Sequence, residues 1–458
     1  MHQLKPFLKW GTLSLCVLLV LLSVAWVVAR TMYPTEAQRE AIAELESLPE
    51  HEGENAFPLL WSLGHAVPDS ELEEVMNEDV RRFSETPVWP EPDEGAVHPN
   101  FESARADYPD LSPSAEDRRM FCGEQDENCL EKVRRDLDAY NALMDRNRAL
   151  LDRTARLHDY EYVRSPFPPR QTAPFPSYQN VTYLRTRHAV AFASGSEREA
   201  IAAVCREIQT WRRLSANADV LIDRLFGLEN ASKRNGTMLA NMLAQWPVDE
   251  PLPAPCASAL SPPELADVSI CHALHGEFAR VAFFGRNLEQ YDDGSLESLM
   301  LPVLFDAEAT LGRDAENYWR FCEESAGAKL LADRRPIETS RPSIMQFDCV
   351  GNYYGCAWSA NSNTGYADYQ DRALDHGARL RVLGTLAWMR RHGDDGRSPK
   401  ALLEARPDAL KSPERDIVFG PEGQTLRVPL YQPEYGSQSK LNHWSIPLPP
   451  PLFRTAGD

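Results

Sequence analysis

The chain has 458 residues and a formal net charge of −20, with 68 acidic against 48 basic side chains. Such an acidic chain repels phosphate backbones and anionic lipid headgroups, so we predict no nucleic-acid partner. Because 43% of the residues are hydrophobic, the chain can build a folded core, and its length allows two or three lobes.

An apolar run follows the N-terminus. Trp10 to Ala29 contains no charged residue, and a helix of about 20 such residues spans a bilayer core. Lys5 and Lys9 precede the run, so the positive-inside rule predicts that residues 1–9 are cytoplasmic. The run exceeds the roughly 7–15 apolar residues of a secretion signal. We therefore predict a transmembrane signal-anchor helix over residues 10–29, with a cleaved signal peptide as the alternative.

Eight of the nine cysteines follow this run, and the ninth, Cys16, lies within it. An even set of cysteines on one side of a membrane indicates a disulfide framework in an oxidising compartment. Eight cysteines allow about 105 pairings, and local spacing favours one of them. The predicted pairs are Cys122–Cys129, Cys205–Cys322, Cys256–Cys271 and Cys349–Cys356. Because the basic residues are mostly arginine, as in GC-rich bacteria, we predict a periplasmic region on a bacterial inner membrane.

The elements predicted after the membrane helix are mostly helices. Residues 30–120 comprise juxtamembrane helices and a proline-rich acidic segment. Residues 121–330 form a helical domain that opens with a helix of about 30 residues starting near Cys129, because apolar residues recur there every three or four positions. Helical hairpins follow, separated by glycine and proline.

The last two segments differ from the helical domain. Residues 331–395 contain a disulfide loop and a long helix over 369–391, and residues 396–458 contain a β-hairpin and a proline-rich tail. The predicted fold class is therefore mainly α. It is a helical-hairpin periplasmic region stapled by disulfides, with a small C-terminal β-hairpin, on an N-terminal transmembrane helix.

One short cluster has metal-ligand chemistry. Cys271, His272, His275 and Glu277 lie close together in the sequence, and helical residues three or four apart share a face. The spacing is not that of the His-Glu-x-x-His motif, and Cys271 has a predicted disulfide partner. We therefore predict no metal site and name His272, His275 and Glu277 as the candidates should one exist. The alternative is that these histidines lie on a helix surface.

Two other clusters have a structural alternative. Glu124, Asp126 and Glu127 could offer oxygen ligands to Ca²⁺, but their spacing is not that of an EF-hand. Five aromatic residues could form a ligand platform, although a small satellite core is the favoured interpretation. These residues are Tyr353, Tyr354, Trp358, Tyr366 and Tyr369.

The sequence contains no nucleophile elbow, Walker loop or dinucleotide fingerprint. We therefore predict no cofactor, name no catalytic residue and favour a non-enzymatic role. The expected function is an interaction or scaffold component of the bacterial envelope, bound to the inner membrane through its N-terminal helix and to another envelope protein. One alternative is a periplasmic hydrolase that acts on an envelope polymer, with Asp and Glu residues that converge only in the fold. Another is a solute-binding module.

Overall fold

The computed structural model describes residues 4–88, 101–123, 126, 128–288, 294–336, 343–362, 365–393, 396–435 and 440–452. The chain is mainly helical, with a small three-stranded antiparallel sheet near its C-terminus, which confirms the predicted mainly α class. The helices of the described residues are α1 (Leu4–Met32), α2 (Glu36–Glu46), α3 (Phe57–Ser62), α4 (Leu72–Ser84), α5 (Ala115–Met120), α6 (Cys129–Arg134), α7 (Leu137–Arg146), α8 (Arg148–Ala155), α9 (Gln179–Thr182), α10 (Leu184–Ala193), α11 (Glu197–Ala216), α12 (Leu221–Leu228), α13 (Asn235–Leu243), α14 (Pro255–Ala259), α15 (Leu265–Val268), α16 (Cys271–Leu288), α17 (Leu296–Leu304), α18 (Ala307–Trp319), α19 (Glu324–Leu331), α20 (Tyr353–Ser362), α21 (Tyr366–Arg391) and α22 (Pro399–Glu404).

These helices belong to two compact units. Unit 1 comprises Met1–Leu48, His275–Phe321 and Ile337–Ala367. Unit 2 comprises Pro49–Leu274, Cys322–Pro336 and Asp368–Asp458. Each unit is assembled from segments far apart in the sequence, whereas the segments predicted from the sequence are contiguous.

Helix α1 of unit 1 is long and apolar enough over Trp10–Met32 to cross a membrane, and most of its side chains are exposed. This is consistent with single-pass anchoring. Its last turns pack into unit 1, where Ala29 is buried beside Gly351. Helix α2 begins at a capping box formed by Thr35 and Gln38, which satisfies backbone N–H groups of its first turn.

Helix α11 is the central helix of unit 2. It packs against α10, α12, α13 and α14. Its apolar residues recur every three or four positions, as at Ile201, Val204, Cys205 and Ile208, all of which are fully buried. The spacing therefore directs one wide face of α11 into the core of unit 2.

The prediction of one helix of about 30 residues from Cys129 onward was wrong. The structure divides this stretch into α6, α7 and α8. The Asp136 carboxylate accepts a hydrogen bond from the backbone of Ala139 and so starts α7 as a new helix. Asn147 ends α7, and its side-chain amide donates to Asp117 at 3.0 Å. Polar caps interrupt a stretch whose apolar spacing alone looks continuous.

The C-terminal sheet consists of β1 (Val418–Phe419), β2 (Thr425–Tyr435) and β3 (Lys440–Pro447), paired in that order. Leu426 pairs with Ile446 and Val428 pairs with Trp444, and all four of these side chains are buried. The alternation of buried and less buried residues is that of a sheet with one face on a core. The predicted C-terminal β-hairpin is confirmed within this sheet.

Four disulfides join the eight cysteines. The predicted pairs Cys122–Cys129 and Cys349–Cys356 are present. The pairs Cys205–Cys322 and Cys256–Cys271 were wrong, because Cys205 bonds to Cys256 and Cys271 bonds to Cys322.

Helix packing explains the exchanged partners. Helix α11 lies directly on α14, so the Cα atoms of Cys205 and Cys256 are 4.9 Å apart. Helix α19, which follows Cys322, packs on α15, which precedes Cys271. The Cα atoms of Cys271 and Cys322 are therefore only 5.0 Å apart. The sequence prediction paired Cys256 with the nearby Cys271, which left Cys205 and Cys322 for each other. The helix contacts in unit 2 instead give two pairs that are each 51 residues apart.

Candidate metal centre

Three side chains of unit 2 converge on one point. The Nε2 atom of His51 lies 3.0 Å from Oδ1 of Asp219, and Nε2 of His272 lies 3.1 Å from the same oxygen. The two Nε2 atoms are 3.2 Å apart. The side chains of His51 and Asp219 are each 6% exposed, whereas that of His272 is 26% exposed. Solvent therefore reaches the cluster on the His272 side.

Short extended segments hold two of these residues. Tyr162 bridges to Asn55 and Val163 bridges to Ala218, both in parallel. The N–H of Asp219 donates to the carbonyl of Val163 at 3.2 Å, which fixes the start of its side chain. The Asn55 side chain accepts from the backbone N–H of Arg164 and donates to the Arg164 carbonyl. This backbone frame joins parts of the chain more than 100 residues apart.

His272 is placed by the start of α16. It follows Cys271, which is bonded to Cys322. The backbone N–H of Cys271 donates to the Ser269 hydroxyl, and that of Ile270 donates to the Gln370 side chain. A disulfide and two side-chain contacts therefore fix the first turn from which His272 projects.

Arg164 and Tyr162 contact the side chains of Asp219 and His51 and hold them in place. Arg164 Nε donates to Oδ2 of Asp219, and Nη2 donates to Oδ1 at 3.4 Å and to the Pro49 carbonyl at 2.5 Å. The His51 ring stacks on Tyr162 with centroids 4.4 Å apart. In metal sites, outer-shell groups hold the ligand rings and carboxylates in one orientation in the same way.

Burial and hydrogen bonding act in opposite directions on the charges. Burial raises the pKa of Asp219, but hydrogen bonds from His272, Arg164 and His51 outweigh it and lower the pKa to about 2. Burial lowers the pKa of His51, and this outweighs the opposite effect of Asp219. At neutral pH the cluster therefore combines a carboxylate with a neutral His51 ring.

The donor triangle matches the dimensions of a metal site. An ion about 2.1 Å from each of the three atoms would subtend ligand–metal–ligand angles of about 95°. Such angles suit three neighbouring positions of an octahedral ion, as in the two-His-one-carboxylate facial triad. Without an ion, two Nε2 atoms compete for the same carboxylate oxygen while facing each other. A cation would bind all three atoms when each ring carries its proton on Nδ1, which leaves the Nε2 lone pair for the metal.

One of the candidates named from the sequence lies in this cluster. His272 lies in the cluster with His51 and Asp219. His275 belongs to unit 1, where it is buried with Nδ1 3.2 Å from the Leu45 carbonyl. Glu277 also belongs to unit 1 and is half-buried. Cys271 is in a disulfide and offers no thiolate.

The other predicted clusters have structural partners. Asp126 accepts from the backbone of Gly123 and from Lys132, while Glu124 and Glu127 lie outside the described residues. Of the aromatic residues in unit 1, Trp358 stacks on Phe284. Tyr366 packs edge-on against Tyr318, and Tyr353 and Tyr354 are exposed. Tyr369 lies in unit 2.

Sequence reasoning missed His51, Asp219 and Arg164. His51 is 168 residues from Asp219, which is 53 residues from His272. No local spacing can signal a site assembled over such separations. A second group in the described part of the chain, Asp348 with Cys349 and Cys356, has its two sulfur atoms joined in a disulfide.

No protein-family model matches this chain, and neither does a curated protein or a solved structure.

Proposed function

We propose that this chain is an exported, membrane-anchored protein of the bacterial envelope that binds one divalent transition-metal ion through His51, Asp219 and His272. The observation that carries the proposal is the triangle of donor atoms, with edges of 3.0, 3.1 and 3.2 Å. Two imidazole nitrogens and one carboxylate oxygen suit Zn²⁺ or Fe²⁺ better than the oxygen-seeking Mg²⁺ or Ca²⁺.

The proposed compartment is the periplasm, with α1 in the inner membrane. Four disulfides support an oxidising compartment. Lys5 and Lys9 before the apolar run support a cytoplasmic N-terminus. The buried position of Ala29 supports an uncleaved helix, because cleavage after this residue would remove a packed part of unit 1.

The number of ligands bears on the role of the site. Structural zinc sites are closed by four protein ligands, whereas catalytic sites use three and leave a position for water or substrate. Three ligands and the exposed edge of His272 therefore favour the hydrolase acting on an envelope polymer that was the alternative from the sequence. The role as an interaction or scaffold component of the envelope, in contact with another envelope protein, stays a proposal that rests on the sequence.

Metal analysis of the full chain tests the binding proposal. The protein is extracted from membranes in detergent without reductant or chelator, and its metal content is measured by mass spectrometry. We expect about one equivalent of Zn²⁺ or Fe²⁺ per chain. Titration of chelator-treated protein with each ion then gives the affinity.

Two matched variants identify the ligands. His272→Gln removes a ligand and is expected to weaken metal affinity by more than the roughly 100-fold that loss of an outer-shell partner can cost. His158→Gln is the control, because His158 is an exposed histidine of the same unit. Equal affinities in the two variants would rule out the proposed site. Circular dichroism of both variants separates loss of a ligand from loss of folding.

A further inference from the structure

Unit 1 carries a concentrated apolar surface, here called the apolar collar. It is formed by exposed side chains of α17 and of residues 343–354, including Leu299, Val303, Met345, Phe347, Val350 and Tyr353. Met345 is 92% exposed and Leu299 is 71% exposed. Scattered exposed hydrophobic residues are normal, but a contiguous patch marks an interaction surface.

The segments that carry the collar pack together. Helix α17 contacts α20, and the 3₁₀ turn Phe347–Val350 contacts both α20 and α1. All of these elements belong to unit 1. The collar therefore lies beside the C-terminal end of α1.

Hydrogen bonds fix the collar to that end of the helix. The indole N–H of Trp26 donates to the Val303 carbonyl at 2.8 Å. Arg30 donates to the Gly351 carbonyl at 3.1 Å and also to the Phe305 carbonyl. The collar thus lies at the level of Trp26 and Arg30, where a spanning helix leaves the hydrocarbon core and where Trp is enriched.

The composition of the collar suits lipid rather than water. The sequence of α17 and of residues 343–354 contains two charged residues, Glu297 and Asp348, and the Asp348 carboxylate accepts from Arg313 at 2.7 Å. At the same level of α1, Val27 and Val28 also remain exposed. Exposed apolar side chains of α1 and of the collar therefore occur at the same level of the helix.

We propose that the apolar collar inserts into the surface of the membrane that α1 crosses, on the side opposite the N-terminus. The inference rests on the proposed anchoring by α1. The collar would lie at the boundary between the acyl chains and the headgroups of the lipids. Tyrosine and tryptophan are favoured there because their rings combine an apolar body with a polar group. Unit 1 would then be held against the membrane by α1 and by the collar.

Site-specific fluorescence on the full chain tests this. In a Cys16→Ser background, a single cysteine is introduced by Met345→Cys, Arg320→Cys or Val17→Cys and labelled with the dye NBD without reduction, so that the four disulfides stay intact. The labelled proteins are reconstituted into phosphatidylcholine vesicles. Quenching of the dye fluorescence is measured with iodide inside and outside the vesicles. It is also measured with lipids that carry a nitroxide near the headgroup or near the end of the acyl chain.

Each position has a defined expectation. The dye at 345 should show blue-shifted emission, loss of iodide quenching and quenching by the shallow nitroxide. The dye at 320, an exposed position after the end of α18, is the control and should be quenched by iodide. The dye at 17, in the middle of α1, should be quenched most by the deep nitroxide.

The outcomes separate the collar from the anchor. Iodide quenching at 345 equal to that at 320, with deep quenching at 17, would overturn the collar and leave the anchor standing. A dye at 345 that neither iodide nor nitroxide quenches would also overturn the collar proposal, because protein rather than lipid would then cover the collar. Absence of nitroxide quenching at 17 would overturn both proposals.

Discussion

Glu207 is a carboxylic acid in the interior of unit 2, on α11. It is 9% exposed, and the Trp211 indole donates to its Oε2 at 3.2 Å. Burial raises the pKa of Glu207 to about 7, although the hydrogen bond and two nearby arginines act in the opposite direction. Glu207 is therefore mostly protonated in the folded chain at pH 6.

This shift makes stability depend on pH. The unfolded chain loses the proton near the ordinary pKa of 4.5, whereas the folded chain keeps it until about pH 7. Between these values the folded state binds more protons, so the free energy of unfolding falls as the pH rises, by about 3 kcal/mol in total. Glu207→Gln keeps a neutral group in place and removes this loss. We expect the variant to be more stable than wild type at pH 8 and similar at pH 4, below the ordinary pKa.

Urea unfolding of the unreduced protein, followed by tryptophan fluorescence at both pH values, measures this. Glu199→Gln is the matched control, because Glu199 is an exposed glutamate of the same helix. It should retain the pH dependence of the wild type. A Glu207→Gln variant that is less stable at pH 8 would mean that the carboxylate is charged and paired in the folded state.

At the scale of residues, the sequence predicted no metal site, although one of its three candidate ligands lies in the cluster. His272 was named because it lies near other ligand types on a helix start, and it does lie in the cluster. The partners expected for it were local, at 275 and 277, whereas the donors found beside it are His51 and Asp219. Helical spacing reports which residues share a face, but it carries no information about contacts over 50 to 220 residues.

At the scale of elements, the disulfides differ in how much chain they close. Cys205–Cys256 joins α11 to α14 across 51 residues, whereas Cys122–Cys129 closes a loop across 7. In the chain-entropy model, the longer loop contributes about 4 kcal/mol and the shorter about 2 kcal/mol. We therefore expect the double variant Cys205→Ala/Cys256→Ala to lose about twice as much unfolding free energy as Cys122→Ala/Cys129→Ala.

Urea unfolding of both double variants beside the wild type checks this order. All four cysteines are buried, so the two variants share the cost of removing buried sulfur atoms. Equal losses would show that restriction of the unfolded chain is not the main contribution of these bonds. Mass spectrometry of peptides from the unreduced chain should first confirm the four pairs.

The sequence predicted helices well where apolar spacing and glycine or proline agree. Helix α21 was expected over 369–391 and spans Tyr366–Arg391. The failure at α6 to α8 has a physical cause, because spacing detects a buried face but not a cap that restarts a helix along the same face. Disulfide partners were predicted correctly only for the two pairs that are 7 residues apart, since longer pairings depend on helix contacts.

At the scale of the whole molecule, the interleaving of the two units was beyond local reasoning. Segment 322–336 belongs to unit 2, although the residues before and after it belong to unit 1. Changes in composition and glycine or proline residues mark boundaries along a chain. They do not show which segments pack together, and here each unit is built from three separate segments. The N-terminal helix is part of unit 1, so the proposed anchoring would be linked to the folding of that unit.

That link gives a prediction for the mature protein. Ala29 is 1% exposed, and a side chain added at Gly351 would meet Ala29 Cβ at 3.3 Å and Arg30 Cγ at 3.0 Å. Arg30 also donates to two carbonyl groups of unit 1. Removal of α1 would expose this packed contact, so we expect the membrane-extracted protein to keep its N-terminal helix. Mass spectrometry of peptides from the extracted protein should find the residues of α1 joined to those of α2, and extraction should require detergent. A shorter chain that begins after Ala29 and is released without detergent would contradict the anchor, and unit 1 would then fold without its first helix.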